Sequence, residues 1–391
     1  MIPYGRQQIS ESDVAAVAEV LRSDFLTQGP VVPRFEEAVA NHVGARYAFA
    51  VNSATSALHI ACLAAGLGPG DVLWTVPNTF VASANCALYC GAQVDFVDID
   101  SDTWNMSVDA LRTKLESARA AGARLPKVVV PVHFGGQPTG QQAIRDLADH
   151  YGFIVLEDAS HSIGAQVDNE PVGSCRWSHM TVFSFHPVKI ITTAEGGMVL
   201  TNDEGLARRL AILRTHGITR DPEQFVGEVD SAAESRGAWY YEQVGLGYNY
   251  RMTDLQAALG ISQLSRLEEF VETRNRLAVR YDQSLVGLPL QLPHVKPGAL
   301  SAYHLYVVRL AEGARAGRRA LFDAMRSEGI GVNVHYTPIH LQPYYRGLGF
   351  MPGSFPEAER HGTSALTLPL HTGLMGHEQD YVISVLWRLL G

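Results

Sequence analysis

From residue 47 the chain keeps switching between two textures. Short runs rich in valine and phenylalanine, at residues 47–51, 72–76, 93–97, 127–132 and 153–156, alternate with longer helix-like segments at 79–89, 108–120 and 141–151. Neighbouring parallel strands need a long crossover between them, and a helix is the usual one. Repeated strand–helix units therefore leave few solutions other than a largely parallel sheet with helices on both faces. Turns such as Gly66-Leu67-Gly68-Pro69-Gly70-Asp71 punctuate the alternation. The expected class is α/β.

Other segments frame this unit. Ser10 is placed as a helix N-cap, with Glu11 and Asp13 in the first turn and Val14, Val17, Ala18 and Leu21 along one face. Residues 24–30 read as a turn-rich loop. Residues 221–242 are polar, acidic and aromatic-tipped without a clear period, which predicts a surface loop. One long helix is expected over 254–284, and Pro289, Pro293 and Pro297 then mark a boundary. The last hundred or so residues read as a smaller α+β unit, with strands at 303–310 and 331–336, a helix at 315–328 and a final helix.

Composition narrows the function classes. With 391 residues, 46% of them hydrophobic and 18% charged, the chain can bury a large core. A net charge of −9 gives no support for nucleic-acid binding. The four cysteines (Cys62, Cys86, Cys90, Cys175) lack CxxC spacing; Cys86 and Cys90 fit a buried helix face better than a metal site, and no metal is expected. The start, Met-Ile-Pro-Tyr-Gly, has no basic n-region or apolar h-region, and no apolar run approaches the roughly 18 residues of a membrane span. A cytoplasmic protein without a membrane partner is the expectation.

Three local patterns point to chemistry. Lys189 closes Ser184-Phe185-His186-Pro187-Val188-Lys189, between the apolar runs 180–185 and 198–200 and just before Glu195-Gly196-Gly197. Lysine seldom goes inside unpaired. Burial lowers an amine's pKa and makes it nucleophilic, which suits Schiff-base chemistry. A lysine on a surface loop would satisfy the same hexapeptide. Asp158 stands where the strand at 153–156 runs out, the place from which ligands are reached in α/β folds. A carboxylate there suits the pyridinium nitrogen of pyridoxal phosphate, and a lysine the aldehyde. Ser53, Thr55 and Ser56 sit where the first strand turns into an apolar helix, whose free N–H groups and dipole favour a phosphate. Serine and threonine also start helices merely as caps. The three patterns in this order are more specific than any alone.

These words, with Leu26-Thr27-Gln28-Gly29-Pro30, Asn52-Ser53-Ala54-Thr55-Ser56-Ala57-Leu58, Thr79-Phe80-Val81-Ala82, Glu157-Asp158-Ala159 and Gly247-Tyr248-Asn249-Tyr250-Arg251-Met252-Thr253-Asp254, make the chain resemble the DegT/DnrJ/EryC1/StrS sugar aminotransferases. The resemblance runs from about residue 2 to 390. It implies a fold-type-I pyridoxal-phosphate-dependent aminotransferase: a large, mostly parallel sheet domain with helices on both faces over residues 1–250, then a long connecting helix and a small C-terminal α+β domain over 251–391. The narrower words Ser-Asp-Phe-Leu-Thr-Gln-Gly-Pro, Asn-Ser-Ala-Thr-Ser-Ala-Leu-His and Ile-Thr-Thr-Ala-Glu-Gly-Gly are similar to the branch acting on UDP-4-keto-6-deoxy-N-acetyl-β-L-altrosamine in pseudaminic acid synthesis. Another nucleotide keto-sugar, the D-gluco C4 epimer or a dTDP-linked 3-keto sugar, is the alternative, since a few pocket contacts separate them.

Residue by residue, the resemblance implies Lys189 as the Schiff-base lysine and proton carrier and Asp158 as the partner of the ring nitrogen. His161 is implied at the ring hydroxyl, where relatives often carry Gln, and Phe80 against the ring face. Ala54, Thr55 and Ser184 would hold the phosphate. Asn249 would reach the phosphate of a neighbouring subunit, in a homodimer with shared active sites. Tyr4, the loop Asp24, Phe25, Leu26 and Thr27, and His335, Tyr336, Thr337 and Pro338 would contact the substrates: L-glutamate, which leaves pyridoxamine phosphate on the enzyme, and the nucleotide keto-sugar. The cation for the donor carboxylate stays open among Arg6, Arg220 and Arg251. The family's dehydratase branch carries His in place of this lysine, so Lys189 argues against it. A cofactor-binding regulator without turnover is disfavoured by the intact Lys189 and Asp158. A nicotinamide dehydrogenase is disfavoured because no GxGxxG follows the first strand.

Overall fold

A computed structural model of the chain describes residues 1–226 and 237–391. The 227–236 part of the expected surface loop lies outside the described residues. Seven strands make the central sheet: β1 (Tyr47–Val51), β2 (Val72–Thr75), β3 (Gln93–Phe96), β4 (Val128–Val130), β5 (Ile154–Asp158), β6 (Met180–Ser184) and β7 (Gly197–Thr201). Their order is β1-β7-β6-β5-β4-β2-β3. Every pair is parallel except those of β7, which runs antiparallel to both β1 and β6.

Strand periodicity separates the two faces. Val128, Val130, Leu156 and Val182 point to one side, against α3 (Ala54–Ala64), α4 (Ala82–Tyr89) and α7 (Glu204–Leu213). Val129 and Val155 point to the other, against α5 (Val108–Ala120) and α6 (Gln141–Tyr151). On that second side, Phe183, Met198 and Leu200 meet α2 (Val31–Val43) and α8 (Asp254–Leu264). Truncating a buried ring such as Phe183 to Ala would cost about 3–5 kcal/mol. The strands are apolar on both faces because both are covered.

α1 (Glu11–Leu21) has the expected Ser10 cap, and its Asp13 completes a capping box. Its apolar stripe, however, does not face the core: Val14 is 54% exposed and Leu21 59%. The helix instead packs through Asp13, which is buried and receives Ser262 Oγ at 2.6 Å, Gln263 Nε2 at 2.7 Å and Arg266 at 2.5 Å. A sequence rule that sends apolar residues inward misreads a helix docked by a satisfied buried carboxylate.

The long helix expected over 254–284 is two helices, α8 and α9 (Leu267–Ser284), broken at Ser265 and Arg266. Arg266 leaves helical geometry (φ −113°, ψ 10°) as its side chain turns back to Asp13. Met252, Ala257, Leu267 and Val271 pack under the large sheet, whereas Ala278 and Tyr281 belong to the C-terminal core.

That C-terminal core is built on a three-stranded sheet of β8 (Leu290–Gln291), β9 (Tyr306–Leu310) and β10 (Ala365–Leu368), with β9 central and antiparallel to both neighbours. Helix α10 (Arg318–Ser327) and the last helix, Gly376–Leu390, cover it. The strand expected at 331–336 is absent: Ile330 bridges Ile2 and Asn333 bridges Thr367 as isolated pairs. Instead of continuing as a strand, the segment peels away from β10 and runs toward the large sheet. Ile2 also ties down the N-terminus, since it receives Gly331 N–H at 2.7 Å while Tyr4 O accepts Leu370 N–H at 3.0 Å.

Candidate active site

A cavity of about 470 Å³ lies beside the carboxyl ends of β5 and β6 and the start of α3, within the usual range for small-molecule sites. Asp158, the last residue of β5, and Ser184, the last of β6, both reach it. Strand order explains the meeting, because β5 and β6 are neighbours.

Asp158 is buried and held at both oxygens. Its Oδ2 receives Ser83 Oγ at 2.6 Å and its Oδ1 the Ser160 N–H at 3.1 Å. Ser83 lies on α4 and meets Thr79 Oγ1 at 2.9 Å. Lys189 follows β6 by a tight turn in which its N–H bonds His186 O at 2.8 Å. Burial lowers its amine from 10.5 to about 8, against the charge of Asp158, which raises it. At pH 7 about a tenth of such an amine is neutral, against roughly one in three thousand without the shift. Reconstitution of the apoprotein with pyridoxal phosphate needs the neutral amine, so its rate is expected to rise with pH through about 8 and then level. A stopped-flow series against pH checks this, and a midpoint near 10.5 would remove the tuned amine.

At one end of the cavity lies a helix N-terminus that could hold a phosphate. Ser53 caps α3 by accepting Ser56 N–H, so the first turn's Ala54 and Thr55 present their own N–H groups at the cavity. β7 presses on this turn: a Cβ on Gly197 would lie 2.5 Å from Ala54 N and 2.6 Å from Ser53 C. Gly197→Ala must therefore displace the cradle. Its expected effect is about 10- to 100-fold weaker cofactor binding, the worth of one or two charged hydrogen bonds, read by titrating apoprotein fluorescence. Unchanged affinity would show that the turn is not the cradle.

Of the remaining sequence-derived residues, Tyr4, Phe80, His161, His335 and Tyr336 line the same cavity. Phe80 is 59% exposed there, with its ring free of the core. His161 is buried and kept neutral, its pKa pushed well below 6.5 by burial and by the charge of Lys189. Thr337 and Pro338 do not line the cavity: Thr337 is exposed and Pro338 packs beside Gly362. The 24–27 loop lies elsewhere. Asp24 and Phe25 line a second cavity between α1, α2 and α8, and Thr27 bridges Thr253. Asn249 is exposed, bridges Thr215 and does not line its own chain's cavity.

Sequence reasoning missed Ser83, Ser160, His186, Glu195 and Asn333. Ser83 stands four residues after Thr79, a helical spacing that could have joined it to the Thr79-Phe80 word. His186 lies inside the lysine hexapeptide itself. Among the described residues that line the cavity there is no arginine; Arg251 lines a small separate cavity with Gln28, Gly29 and Arg214. No helix among the described residues is long and apolar enough to cross a membrane.

A lysine amine, a fixed carboxylate and a helix N-terminus around one cavity are the donor set of a pyridoxal-phosphate enzyme. Comparison with known proteins agrees. The profile of the DegT/DnrJ/EryC1/StrS aminotransferase family matches residues 7–387. The spore coat polysaccharide biosynthesis protein SpsC of Bacillus subtilis is 39% identical over 387 residues, covering 98% of this chain and 95% of that protein. Among solved structures, Helicobacter pylori PseC, an aminotransferase involved in the biosynthesis of pseudaminic acid, superposes with TM-score 0.89 at 28% identity, covering 100% of this chain and 99% of that one. Spr1654 of Streptococcus pneumoniae in its PMP form gives TM-score 0.87 at 29% identity, with 100% and 99% covered. The chain belongs to the DegT/DnrJ/EryC1/StrS aminotransferase family. It is a pyridoxal-phosphate-dependent sugar aminotransferase.

Proposed function

We propose that the protein transfers an amino group from L-glutamate to C4 of a nucleotide-linked 4-keto-6-deoxy sugar, namely UDP-4-keto-6-deoxy-N-acetyl-β-L-altrosamine in pseudaminic acid biosynthesis. The observation that carries this is the full-length likeness to Helicobacter pylori PseC, together with the lysine, carboxylate and helix turn gathered at one cavity. Transfer to another nucleotide keto-sugar is the second reading, favoured by the 39% identity to a spore coat polysaccharide protein.

Bound pyridoxal phosphate supplies the aldehyde that carries the amino group and the ring that accepts the electron pair. The protein's part is division of labour. Ala54 and Thr55 N–H and the Ser184 side chain would hold the phosphate, and Phe80 would pack against the ring. Asp158, anchored by Ser83 and Ser160, would set a carboxylate against the ring nitrogen. Lys189 Nζ takes a proton from the amino-bearing carbon of the donor and delivers one to sugar C4, so the side it occupies sets the stereochemistry of the product. His335 and Tyr336 border the sugar from the C-terminal unit, and Tyr4 from the pinned N-terminus.

A homodimer with shared sites fits the remaining residues. Thr27 bridges Thr253, Asn249 bridges Thr215, and neither Asn249 nor the 24–27 loop lines its own chain's cavity. Val14, Leu21, Phe25 and Leu26 leave apolar surface on the same N-terminal region. Mixed dimers of Asn249→Ala with Lys189→Ala chains are expected to regain one working site in two; a mixture as inactive as its parents would count against sharing. A nucleotide sugar as substrate suits a cytoplasmic enzyme.

The test of substrate is a two-step titration of the visible spectrum. Glutamate bleaches the band of the lysine-bound cofactor, and candidate keto-sugars are then added singly. Recovery with the L-altrosamine sugar but not its D-gluco epimer supports the assignment. Recovery only with another sugar keeps the aminotransferase and discards the pathway.

A further inference from the structure

The ring of His161 has no polar atom left to give a ligand. Its Nδ1 accepts the Gly135 N–H at 3.2 Å. A neutral imidazole has one acceptor and one donor nitrogen, so that bond puts the proton on Nε2. Nε2 lies 3.3 Å from Tyr336 Oη and donates to it. The tautomer is fixed by the backbone rather than by chance. Gly135 sits at φ 65°, and the next residue, Gly136, is wedged so tightly that a Cβ there would lie 2.7 Å from Tyr303 N, 2.9 Å from His304 N and 3.1 Å from His161 O. The Gly135 N–H thus has one direction to point, into the buried imidazole.

The consequence falls on Tyr336. One lone pair of its oxygen is taken by His161, so its own hydrogen must point away from that ring. The tyrosine ring lies nearly parallel to the imidazole, at 21°, and edge-on to Phe134. Its N–H bonds Asn78 Oδ1 at 3.3 Å, which anchors the segment to the large sheet. Burial and the charge of Asp158 push the phenol's pKa up, so the hydroxyl keeps its proton. Tyr336 lines the cavity, and no described side chain accepts its hydrogen.

We propose that Tyr336, not His161, meets the ligand, its hydroxyl donating to an oxygen acceptor in the cavity, and that His161 is a positioning residue that aims this hydroxyl. Resting on the cofactor site described above, the acceptor is either the ring oxygen of pyridoxal phosphate or an oxygen of the sugar. Tyr336 comes from the C-terminal unit, so the cavity is complete only when that unit is docked.

The test uses purified full-length protein and reads three things: the visible band of the bound cofactor against pH, the affinity of apoprotein for pyridoxal phosphate, and the sugar KM. Tyr336→Phe is expected to change one of them by about tenfold or to shift the band, the worth of a hydrogen bond to a charged or carbonyl oxygen. A changed band or cofactor affinity identifies the ring oxygen; a raised sugar KM with an unchanged band identifies the sugar. His161→Phe is expected to reproduce the Tyr336→Phe effect and to add little to it in the double variant. His161→Gln, whose amide can accept from Gly135 and donate to Tyr336, is expected to restore the wild-type values. Tyr336→Phe without effect on any of the three, alongside an affected His161→Phe, would overturn the assignment and return the contact to His161. Failure of the wild-type protein to form a visible band would instead strike the cofactor site itself.

Discussion

Lys189→Ala is expected to abolish transamination while leaving the fold intact. In the proposed mechanism the amine has two duties, to hold the cofactor's aldehyde and to carry protons between carbons, and alanine can do neither. A positioned acid–base group is worth about 10²–10⁴-fold on its own, so with the covalent attachment gone as well the loss reaches at least the upper end of that range. The stability change runs the other way from most buried truncations. Lys189 makes no ion pair or side-chain hydrogen bond among the described residues, and its neighbourhood already lowers its pKa to about 8 through burial. Removing a charge from a site that penalises it relieves a cost, and the side chain faces a cavity rather than the core. The melting temperature of the cofactor-free protein is therefore expected to hold or rise slightly. Single-turnover kinetics, the visible spectrum and a thermal melt check the three parts. Turnover within tenfold of wild type, with the band still present, would take Lys189 out of the mechanism.

What could be read from sequence divides along a physical line. The central strands were legible because a doubly covered strand must be apolar on both faces, and β1 falls where the run 47–51 predicted it. Asp158, Lys189 and the Ala54–Thr55 turn were legible because each lies at or within a few residues of a strand end with its chemistry in a local word. The misses arise where a partner distant in sequence decides the outcome. Asp13 pulls α1 inward by its polar side because Gln263 and Arg266 await it, some 250 positions away. The same arginine ends α8 early. The segment 331–336 has strand-like composition, yet β10 takes the place beside β9, and Asn333 to Tyr336 are left to border the cavity. His161 shows the limit at the site: its position was legible, but the atom it offers depends on a glycine N–H from another loop.

Asp158→Asn separates charge from shape. The amide can keep both local bonds: its oxygen can accept the Ser160 N–H now held by Oδ1. Its NH₂ can then donate to Ser83 Oγ, provided that hydroxyl turns its hydrogen toward Thr79 Oγ1 at 2.9 Å. Packing is unchanged in volume, so the expected cost in stability is small, about 1 kcal/mol or less. Only the negative charge is lost, and with it, in the proposed arrangement, the reason for a proton to stay on the ring nitrogen. Catalysis is expected to fall about 10²–10³-fold, the size of losing one preorganised electrostatic partner, while the cofactor still binds through the α3 turn and Lys189. A second readout fixes the cause. The Asp158 charge raises the Lys189 amine against its burial, so removing that charge lowers the amine further. The midpoint of cofactor reconstitution is then expected to move below pH 8 in the variant. A slow enzyme with an unmoved midpoint would mean that the two groups do not sense each other. An enzyme within a few-fold of wild type, with cofactor bound, would mean that the carboxylate does not serve the ring nitrogen. The joint outcome, bound cofactor, lost turnover and a lower midpoint, is the one that a charge fixed by Ser83 and Ser160 at the floor of this cavity requires.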